Sequence, residues 1–360
     1  MVIRGIVAAL VLSCLFSFLL SSLLASFSKK YKIFNNLEDR NLKEKKIPRL
    51  GGVAIVMALL LSLLIIRLLF SHLFQNINHS TNYTLLLLAA AIIFLLGIYD
   101  DIKGANVWLK FLFQIVSAVI IYGAGFKIAE ISIPFTGTKT IGSHLLPFLL
   151  TIIWVVGITN AVNIMDGLDG LAIGISFFAT LSLGVLAFLS SQYHVVIIVA
   201  VLSGAMIGFY PFNFPRARLY LGDSGSMVIG FTLAVLSMTK IHRKASLALA
   251  LMIPIIILFL PILETSVTIA RRIYKKQNVF LRDKDHFHYR FLRKGFSETK
   301  TTVFLILVSL LFSLAGILFE FVQVKLRLLL FIGIFLISLF LLIYLGYLNL
   351  KPRKGGQPPF

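Results

Sequence analysis

Long apolar runs recur along the sequence, and they limit what this chain can fold into more than any other feature does. A helix of about 20 apolar residues crosses the roughly 30 Å hydrocarbon layer of a membrane. Of the 360 residues 59% are hydrophobic without glycine, against roughly 45–50% with glycine in soluble domains, so a water-soluble globule is excluded. The runs predict an all-α polytopic integral membrane protein with about eleven transmembrane helices, near 5–27, 50–70, 82–99, 107–123, 145–163, 170–190, 194–212, 225–240, 246–270, 301–320 and 327–349.

The runs predict a single transmembrane domain over residues 1–350 and a short tail at 351–360. The fourth and eighth runs are short and contain glycine, so ten spans, or a re-entrant segment in place of one span, also fit the pattern. The loop at 124–143 alternates partly around a Thr-Gly-Thr turn, which predicts a small extracytoplasmic hairpin.

Positive charge is concentrated in alternate loops and predicts the orientation of the chain. Lys and Arg number 34 against 14 Asp and Glu, and the net charge of +20 suits an anionic lipid surface or anionic substrates. No soluble basic module is apparent, so a nucleic-acid partner is set aside. Because cytoplasmic loops are enriched in Lys and Arg, we expect an inner (plasma) membrane protein with its N-terminus outside and its C-terminus in the cytoplasm. The predicted cytoplasmic segments are 28–49, 100–106, 164–169, 213–224, 271–300 and the tail.

Acidic side chains collect on the predicted cytoplasmic side. Carboxylates that abut apolar helices are costly in a membrane protein, so function is the default interpretation and the cytoplasmic face is the expected position of the active site. The inner aspartates are Asp100, Asp101, Asp166, Asp169, Asp223, Asp283 and Asp285, and Glu264 lies deep in the ninth run.

The segment NAVNIMDGLDGLAIG, 160–174, carries polar side chains every three residues. Asn160, Asn163 and Asp166 offer amide and carboxylate oxygens beside a turn that glycines interrupt. Such oxygens suit Mg²⁺, which takes one or two carboxylates and completes its shell with water and substrate phosphates. A purely structural turn is the alternative.

Two further segments bring carboxylates to the same face. In GIYDDIKG, Asp100 and Asp101 diverge by about 100° on a helix, so one carboxylate can face a cleft while the other anchors a neighbour. Lys110 follows at the start of the fourth span, where snorkelling toward lipid headgroups is the simple alternative. In YLGDSGS, Asp223 precedes the eighth span, where helix capping is the alternative. Three acidic clusters make a shared divalent cation the economical explanation.

The longest inner loop contains the segment DKDHFHYRF, in which His286 and His288 lie two residues apart with Arg282 close by. Zinc is disfavoured because no third soft ligand stands nearby. Imidazoles and guanidiniums that contact a nucleotide's phosphates or sugar fit the surrounding charges better. Arg49, in IPRLGG at the entry of the second span, is either a ligand for an anion or a headgroup anchor.

Six segments in this order resemble the polyprenyl-phosphate N-acetylhexosamine-1-phosphate transferase family (glycosyltransferase 4). The histidine pattern and the eleven spans resemble its undecaprenyl-phosphate N-acetylglucosamine-1-phosphate transferase branch more than the muramoyl-pentapeptide branch. The likeness runs from about 46 to 291 and is carried by KIPRLGG, GIYDDIKG, KFLFQ, NAVNIMDGLDGLA, YLGDSGS and DKDHFHYRF.

The resemblance implies a catalytic membrane domain that transfers N-acetylglucosamine 1-phosphate from UDP-GlcNAc to undecaprenyl phosphate, a polyprenyl phosphate. UMP would be released, and the diphosphate-linked lipid would start cell-envelope polysaccharide assembly, as in lipopolysaccharide or teichoic acid biosynthesis. The implied cofactor is Mg²⁺, with Mn²⁺ as a substitute, and a homodimer is one candidate assembly. The implied metal ligands are Asp223 and Asn163, the catalytic residues are Asp100, Asp101 and Asp166, and the substrate-binding residues are Lys110, Asn160, Arg49, Arg282, His286 and His288.

Two alternatives stay open at this point. The donor could be another UDP-N-acetylhexosamine or UDP-MurNAc-pentapeptide, since Tyr289 stands where some relatives have a third histidine. A protein of a different class, an ion-coupled transporter, would use an acid near the bilayer midplane. Only Glu264 has that depth, and no internal repeat supports this interpretation.

Overall fold

The structure is a computed structural model that describes residues 2–31, 47–71, 82–128, 130–133, 137–140, 144–239, 252–278 and 285–347. These ranges hold thirteen helices and two strands. The first seven helices are α1 (Val2–Tyr31), α2 (Gly51–Leu69), α3 (Tyr83–Lys103), α4 (Val107–Gly123), α5 (Leu145–Met165), α6 (Leu171–Leu189) and α7 (Tyr193–Asn213). The others are α8 (Gly222–Met238), α9 (Met252–Ile257), α10 (Phe259–Tyr274), α11 (Phe287–Arg293), α12 (Glu298–Phe321) and α13 (Val324–Tyr344), and the strands are β1 (Glu130–Ile133) and β2 (Gly137–Thr140).

The helices confirm a multi-pass membrane protein. Among the described residues, eight helices are long and apolar enough to span a bilayer: α1, α2, α3, α5, α6, α7, α12 and α13. Helices α4 and α8 are apolar but only 17 residues long. Each predicted apolar run thus contains a helix, the ninth containing two, whereas a total of eleven crossings stays a prediction.

The ninth predicted span is not one continuous helix. Helix α9 ends at Ile257 and α10 begins at Phe259. Pro261, in the first turn of α10, has no N–H to donate to the carbonyl of Ile257, so the helix is interrupted ahead of it. The first residues of this predicted span, 246–251, lie outside the described residues.

Helices α1 and α7 pack closely through small side chains. The hydroxyl of Ser13 donates to the carbonyl of Val201 at 2.6 Å, and that of Ser17 donates to the carbonyl of Ala205 at 2.7 Å. A Cβ on Gly204 would lie 3.1 Å from the backbone nitrogen of Cys14. Small residues let membrane helices approach within hydrogen-bonding range. Close packing and these hydrogen bonds therefore hold α1 against α7, where the hydrophobic effect contributes little because lipid is also apolar.

Helix α8 lies at the centre of the bundle, against α2, α3 and α5. Most of its side chains are buried, whereas many apolar side chains of α13 are exposed, as expected for an outer helix facing lipid. Because α3 and α5 contact α8 as antiparallel neighbours, their C-terminal ends meet the N-terminus of α8. That meeting point carries the acidic segments.

Strands β1 and β2 confirm the hairpin expected within 124–143. They pair antiparallel, with Glu130 opposite Thr140 and Ile133 opposite Gly137. The turn residues 134–136 lie outside the described residues. The side of the membrane on which the hairpin lies stays a prediction.

Candidate active site

Asp101, near the end of α3, anchors the N-terminus of α8. Its Oδ1 accepts the N–H of Asp223 at 2.8 Å and its Oδ2 accepts the N–H of Ser224 at 2.9 Å. A helix N-terminus has free N–H groups and a partial positive charge, so a buried carboxylate stabilises it. Gly222, with φ 75°, makes the approach sterically feasible because a Cβ there would lie 2.7 Å from the Asp101 carboxylate.

Asp100 has different partners. It accepts the N–H of Ala105 at 2.5 Å and forms an ion pair with the ammonium of Lys110. The adjacent carboxylates therefore point to different neighbours, as their helical geometry suggested: Asp101 anchors the neighbouring helix α8, and Asp100 lies beside the cation of Lys110. A catalytic role for either residue stays a prediction.

Asp223 is the side chain on which three elements converge. Its Oδ1 lies 3.2 Å from the Nζ of Lys110, which reaches in from α4. The amide of Asn163, in the last turn of α5, donates to the same oxygen at 2.7 Å and to the hydroxyl of Ser226 at 2.8 Å. Residues that lie more than a hundred positions apart in sequence thus meet at one carboxylate.

Asn160, one turn before Asn163, faces a different neighbour. Its Nδ2 donates to the Oε1 of Gln114 at 2.6 Å and to the carbonyl of Val156 at 2.8 Å, and the Nε2 of Gln114 lies 3.3 Å from its Oδ1. This amide pair joins α5 to α4 one turn beyond Lys110. Substrate binding by Asn160 stays a prediction, and its observed contacts hold the two helices in register.

Asp166 directly follows α5, near the carboxylates of Asp223 and Asp101. Burial, together with the nearby carboxylates of Asp223 and Asp101, raises the pKa of Asp166 well above its usual range. The guanidinium of Arg49 opposes this rise. Burial is the larger cause and the nearby carboxylates add to it, so added positive charge would be stabilising here.

Arg49 is brought to this loop by backbone pairing. The carbonyl of Pro48 accepts the N–H of Tyr220 at 2.9 Å, and the N–H of Gly51 donates to the carbonyl of Tyr220 at 2.9 Å. A Cβ on Gly51 would lie 2.6 Å from that carbonyl oxygen. The glycine therefore lets the IPRLGG segment run beside the segment that carries Asp223.

Asp169, the last of the periodic polar residues, supports the loop. Its Oδ2 accepts the N–H of Ala217 at 2.8 Å, and its carbonyl lies 3.3 Å from the hydroxyl of Thr302. The side chain is therefore engaged with the 213–224 loop.

His288 packs directly on the glycine turn. A Cβ on Gly167 would lie 3.1 Å from the Cδ2 of the His288 ring, so only glycine leaves room for the imidazole. The ring is 1% exposed, and its two nitrogens have no hydrogen-bond partner among the described residues. Burial, and secondarily His286, lowers the pKa of His288 to about 3. The imidazole is therefore neutral at physiological pH.

Glu264 was missed as a site residue. The sequence interpretation linked it only to transport, yet its Oε1 lies 2.8 Å from the Nδ1 of His286 and its Oε2 accepts the N–H of Phe287 at 2.9 Å. The signal was present: a carboxylate in an apolar run needs a partner, and a histidine motif follows some twenty residues later. Sequence spacing alone could not identify that partner.

Asp285 is the centre of an ion-pair network that was also missed. Arg290 donates to it through Nε at 2.9 Å and Nη2 at 2.6 Å, and Arg271 and Arg293 form further ion pairs with it. The hydroxyl of Tyr347 donates to the Asp285 carbonyl at 2.9 Å, and the Arg290 guanidinium lies 3.5 Å from the centre of the Tyr347 ring. The end of α13 is thereby fastened to the histidine segment.

Asp285→Asn is expected to lower the melting temperature in detergent by roughly 2–4 °C at neutral pH, because the variant loses charge-assisted bonds. Burial alone would raise the pKa of Asp285, but Arg290 and its neighbouring arginines hold the pKa below its ordinary 3.8. The ion pairs thus stabilise the fold above that ordinary value and are lost as pH falls through the lowered one. Thermal melts from pH 7 to 2.5 should show wild type approaching the variant, and parallel curves would contradict this.

The structure thus brings together most residues that the sequence nominated. Asp100, Lys110, Asn163 and Asp223 form one contact cluster, and Asp101 supports it. Arg282 lies outside the described residues, as do most of loop 28–49 and the tail 351–360. Asp166 and Arg49 adjoin the cluster, and His288 contacts the same loop with His286 beside it, at 5.7 Å between ring centres.

Known proteins are similar to this chain over most of its length. Residues 83–241 match the model of glycosyl transferase family 4. A Bacillus subtilis (strain 168) protein named "Probable undecaprenyl-phosphate N-acetylglucosaminyl 1-phosphate transferase" is 31% identical over 97% of this chain and 94% of its own. The Thermotoga maritima undecaprenyl-phosphate alpha-N-acetylglucosaminyl 1-phosphate transferase is 30% identical over 84% of this chain and 87% of its own. A Bacillus velezensis phospho-N-acetylmuramoyl-pentapeptide-transferase is 29% identical over 88% and 98%.

A bundle of membrane helices with polar clusters at their ends, matched over nearly its full length by such relatives, defines a polytopic membrane phosphoglycosyltransferase. The chain belongs to glycosyl transferase family 4. The family expected from the six motifs is therefore confirmed, and an ion-coupled transporter is not the class to which the chain belongs.

Proposed function

We propose that the protein transfers N-acetylglucosamine 1-phosphate from UDP-GlcNAc to undecaprenyl phosphate. UMP leaves, and the diphosphate-linked lipid starts cell-envelope polysaccharide assembly. The observation that carries the proposal is the convergence of Asp100, Lys110 and Asn163 on Asp223, at the ends of apolar helices of the bundle. By the positive-inside rule this cluster faces the cytoplasm, where a nucleotide sugar is available.

The choice of donor rests on the relatives. Those named for N-acetylglucosaminyl transfer favour UDP-GlcNAc. The relative named for phospho-N-acetylmuramoyl-pentapeptide transfer favours UDP-MurNAc-pentapeptide as the second candidate. Both donors present the same uridine diphosphate to the protein, so the machinery proposed below serves either.

The side-chain oxygens of the acidic cluster suit Mg²⁺ as ligands. We assign Asp223 and Asn163 as its protein ligands, with Asp166 beside them, because a carboxylate and an amide that lie in contact offer the oxygen ligands that Mg²⁺ prefers. When bound, Mg²⁺ neutralises the charge on the diphosphate oxygens, and Mn²⁺ can substitute for it.

The acceptor side of the cluster belongs to Asp100 and Lys110. We assign Asp100 to orient the lipid phosphate and to accept its remaining proton, which needs little base strength because a phosphate monoester has a second pKa near 6. Lys110 offsets the charge of the incoming phosphate. A phosphate oxygen then attacks the β-phosphorus of the donor, and the bond from that phosphorus to the bridging oxygen breaks to release UMP.

The donor side belongs to the basic and imidazole groups. Arg49 and Arg282 are assigned to the diphosphate, because guanidiniums bind phosphate oxygens in pairs. His286 and His288 are assigned to the uncharged parts of the donor. For His288 the lowered pKa means that the imidazole is neutral, so it can offer one hydrogen-bond donor and one acceptor but no charge.

The test is a radiolabel transfer assay with purified protein and a panel of UDP-sugars. We expect lipid-linked product and UMP only when UDP-GlcNAc, polyprenyl phosphate and Mg²⁺ are all present, with partial activity in Mn²⁺ and none in EDTA. Transfer from UDP-MurNAc-pentapeptide and not from UDP-GlcNAc would show that UDP-MurNAc-pentapeptide is the donor. Transfer that is unaffected by EDTA would overturn the metal assignment.

A further inference from the structure

Glu264 is a completely buried carboxylate that the proposed chemistry does not use. It lies in α10 with 0% of its surface exposed. Its two oxygens have different partners. Oε1 lies 2.8 Å from the Nδ1 of His286, and Oε2 accepts a hydrogen bond from the backbone N–H of Phe287 at 2.9 Å. Thr268, one turn along α10, contacts Oε1 at 3.3 Å.

These contacts determine the position of the histidine segment. Phe287 begins α11 and its side chain is buried, so the bond from Glu264 fixes where that short helix starts. The pairing at Nδ1 fixes the ring of His286, whose other nitrogen, Nε2, points away from Glu264. A carboxylate at Nδ1 also keeps the proton on that nitrogen, which leaves Nε2 able to accept a hydrogen bond when the ring is neutral.

The effect extends to the glycine turn of the acidic cluster. The rings of His286 and His288 are stacked with centres 5.7 Å apart and an interplanar angle of 23°. His288 in turn fills the space above Gly167. One buried carboxylate in α10 therefore holds His286, and the His286 ring is stacked on the imidazole that packs against the loop carrying Asp166.

We propose that Glu264 is a positioning residue for the nucleotide-sugar donor, acting through His286. The inference rests on the proposed function in assigning His286 to the donor side. Loss of the carboxylate should weaken donor binding selectively, because Asp100 and Lys110 on the acceptor side do not depend on this contact.

Glu264→Gln is the informative variant because glutamine keeps the volume of glutamate. Its single carbonyl oxygen can serve either His286 or Phe287, while the amide NH₂ faces the other. We expect the KM for UDP-GlcNAc and the Kd for UDP each to rise about tenfold, which corresponds to the loss of one hydrogen bond between His286 and the uridine part of the donor. The KM for polyprenyl phosphate should stay within about twofold. Glu298→Gln, on the exposed first turn of α12, is the charge-matched control and should match wild type.

A double-mutant cycle separates positioning from general loosening. His286→Ala should reproduce the donor defect, and Glu264→Gln added to it should cause little further loss, since both changes remove one interaction. Additive losses, an equal rise in the KM of both substrates, or an unchanged UDP Kd in Glu264→Gln would overturn the inference. Failure of wild type to use any UDP-sugar would instead overturn the proposed function, while UDP binding would still report on Glu264.

Discussion

Asp223→Asn is expected to reduce turnover by roughly a thousandfold or more while the protein still inserts and purifies like wild type. Asparagine has the same shape, so it can keep the hydrogen bond with Asn163. It cannot offset the charge of Lys110, and it is a poor ligand for a divalent ion. The first measurement is UMP release at saturating concentrations of both substrates.

The second measurement for Asp223→Asn is independent of activity. Mg²⁺ should raise the melting temperature of wild type in detergent and leave that of the variant unchanged, because an ion that binds only the folded state stabilises it. Asp169→Asn is the matched control, since Asp169 lies in the adjoining loop but is engaged with the N–H of Ala217. We expect Asp169→Asn to keep the Mg²⁺ response, and equal loss of that response in both variants would remove Asp223 from the metal site.

The positions of the helices could be predicted because a membrane span is a local property of about twenty consecutive residues. Helix α4, for example, occupies 107–123, as the sequence predicts. The interruption between α9 and α10 was harder to predict from the sequence. Pro254 and Pro261 both lie in one apolar run, and only the surrounding packing determines which of them ends the helix. Whether short helices such as α8 cross the whole bilayer depends on their tilt and neighbours, which the sequence does not encode locally.

The acidic cluster was predictable for a different reason. Carboxylates and amides beside apolar helices are costly in a membrane protein, so Asp100, Asn163 and Asp223 were expected to share a polar environment, and the asymmetry of Lys and Arg placed them on one face. The supporting contacts were not predictable. Glu264 and Tyr347 form hydrogen bonds with the histidine segment that depend on how separate helices pack together, and the residues next to them in sequence do not identify the partner.

Asp100 and Asp101, at the end of α3, have different partners, so substitutions at the two positions should have different effects. Asp100→Asn should keep its hydrogen bond from Ala105 but lose the negative charge beside Lys110. We expect kcat to fall roughly 10²–10³-fold, the scale of a lost general base, with a small change in melting temperature. Asp101→Asn should leave the N–H of either Asp223 or Ser224 facing an amide NH₂, and so should destabilise the fold by about 1–2 kcal/mol.

Activity in Asp101→Asn should fall less than in Asp100→Asn, because its carboxylate acts on α8 and reaches the reacting groups only through the position of Asp223. Measured on the same preparations, Asp101→Asn should therefore have the lower melting temperature and Asp100→Asn the lower kcat. A loss of activity in Asp101→Asn equal to that in Asp100→Asn, without a lower melting temperature, would mean that both carboxylates act on the substrates. Opposite ordering would mean that Asp101 holds the N-terminus of α8 and thereby places the proposed metal ligand Asp223 beside Asp100.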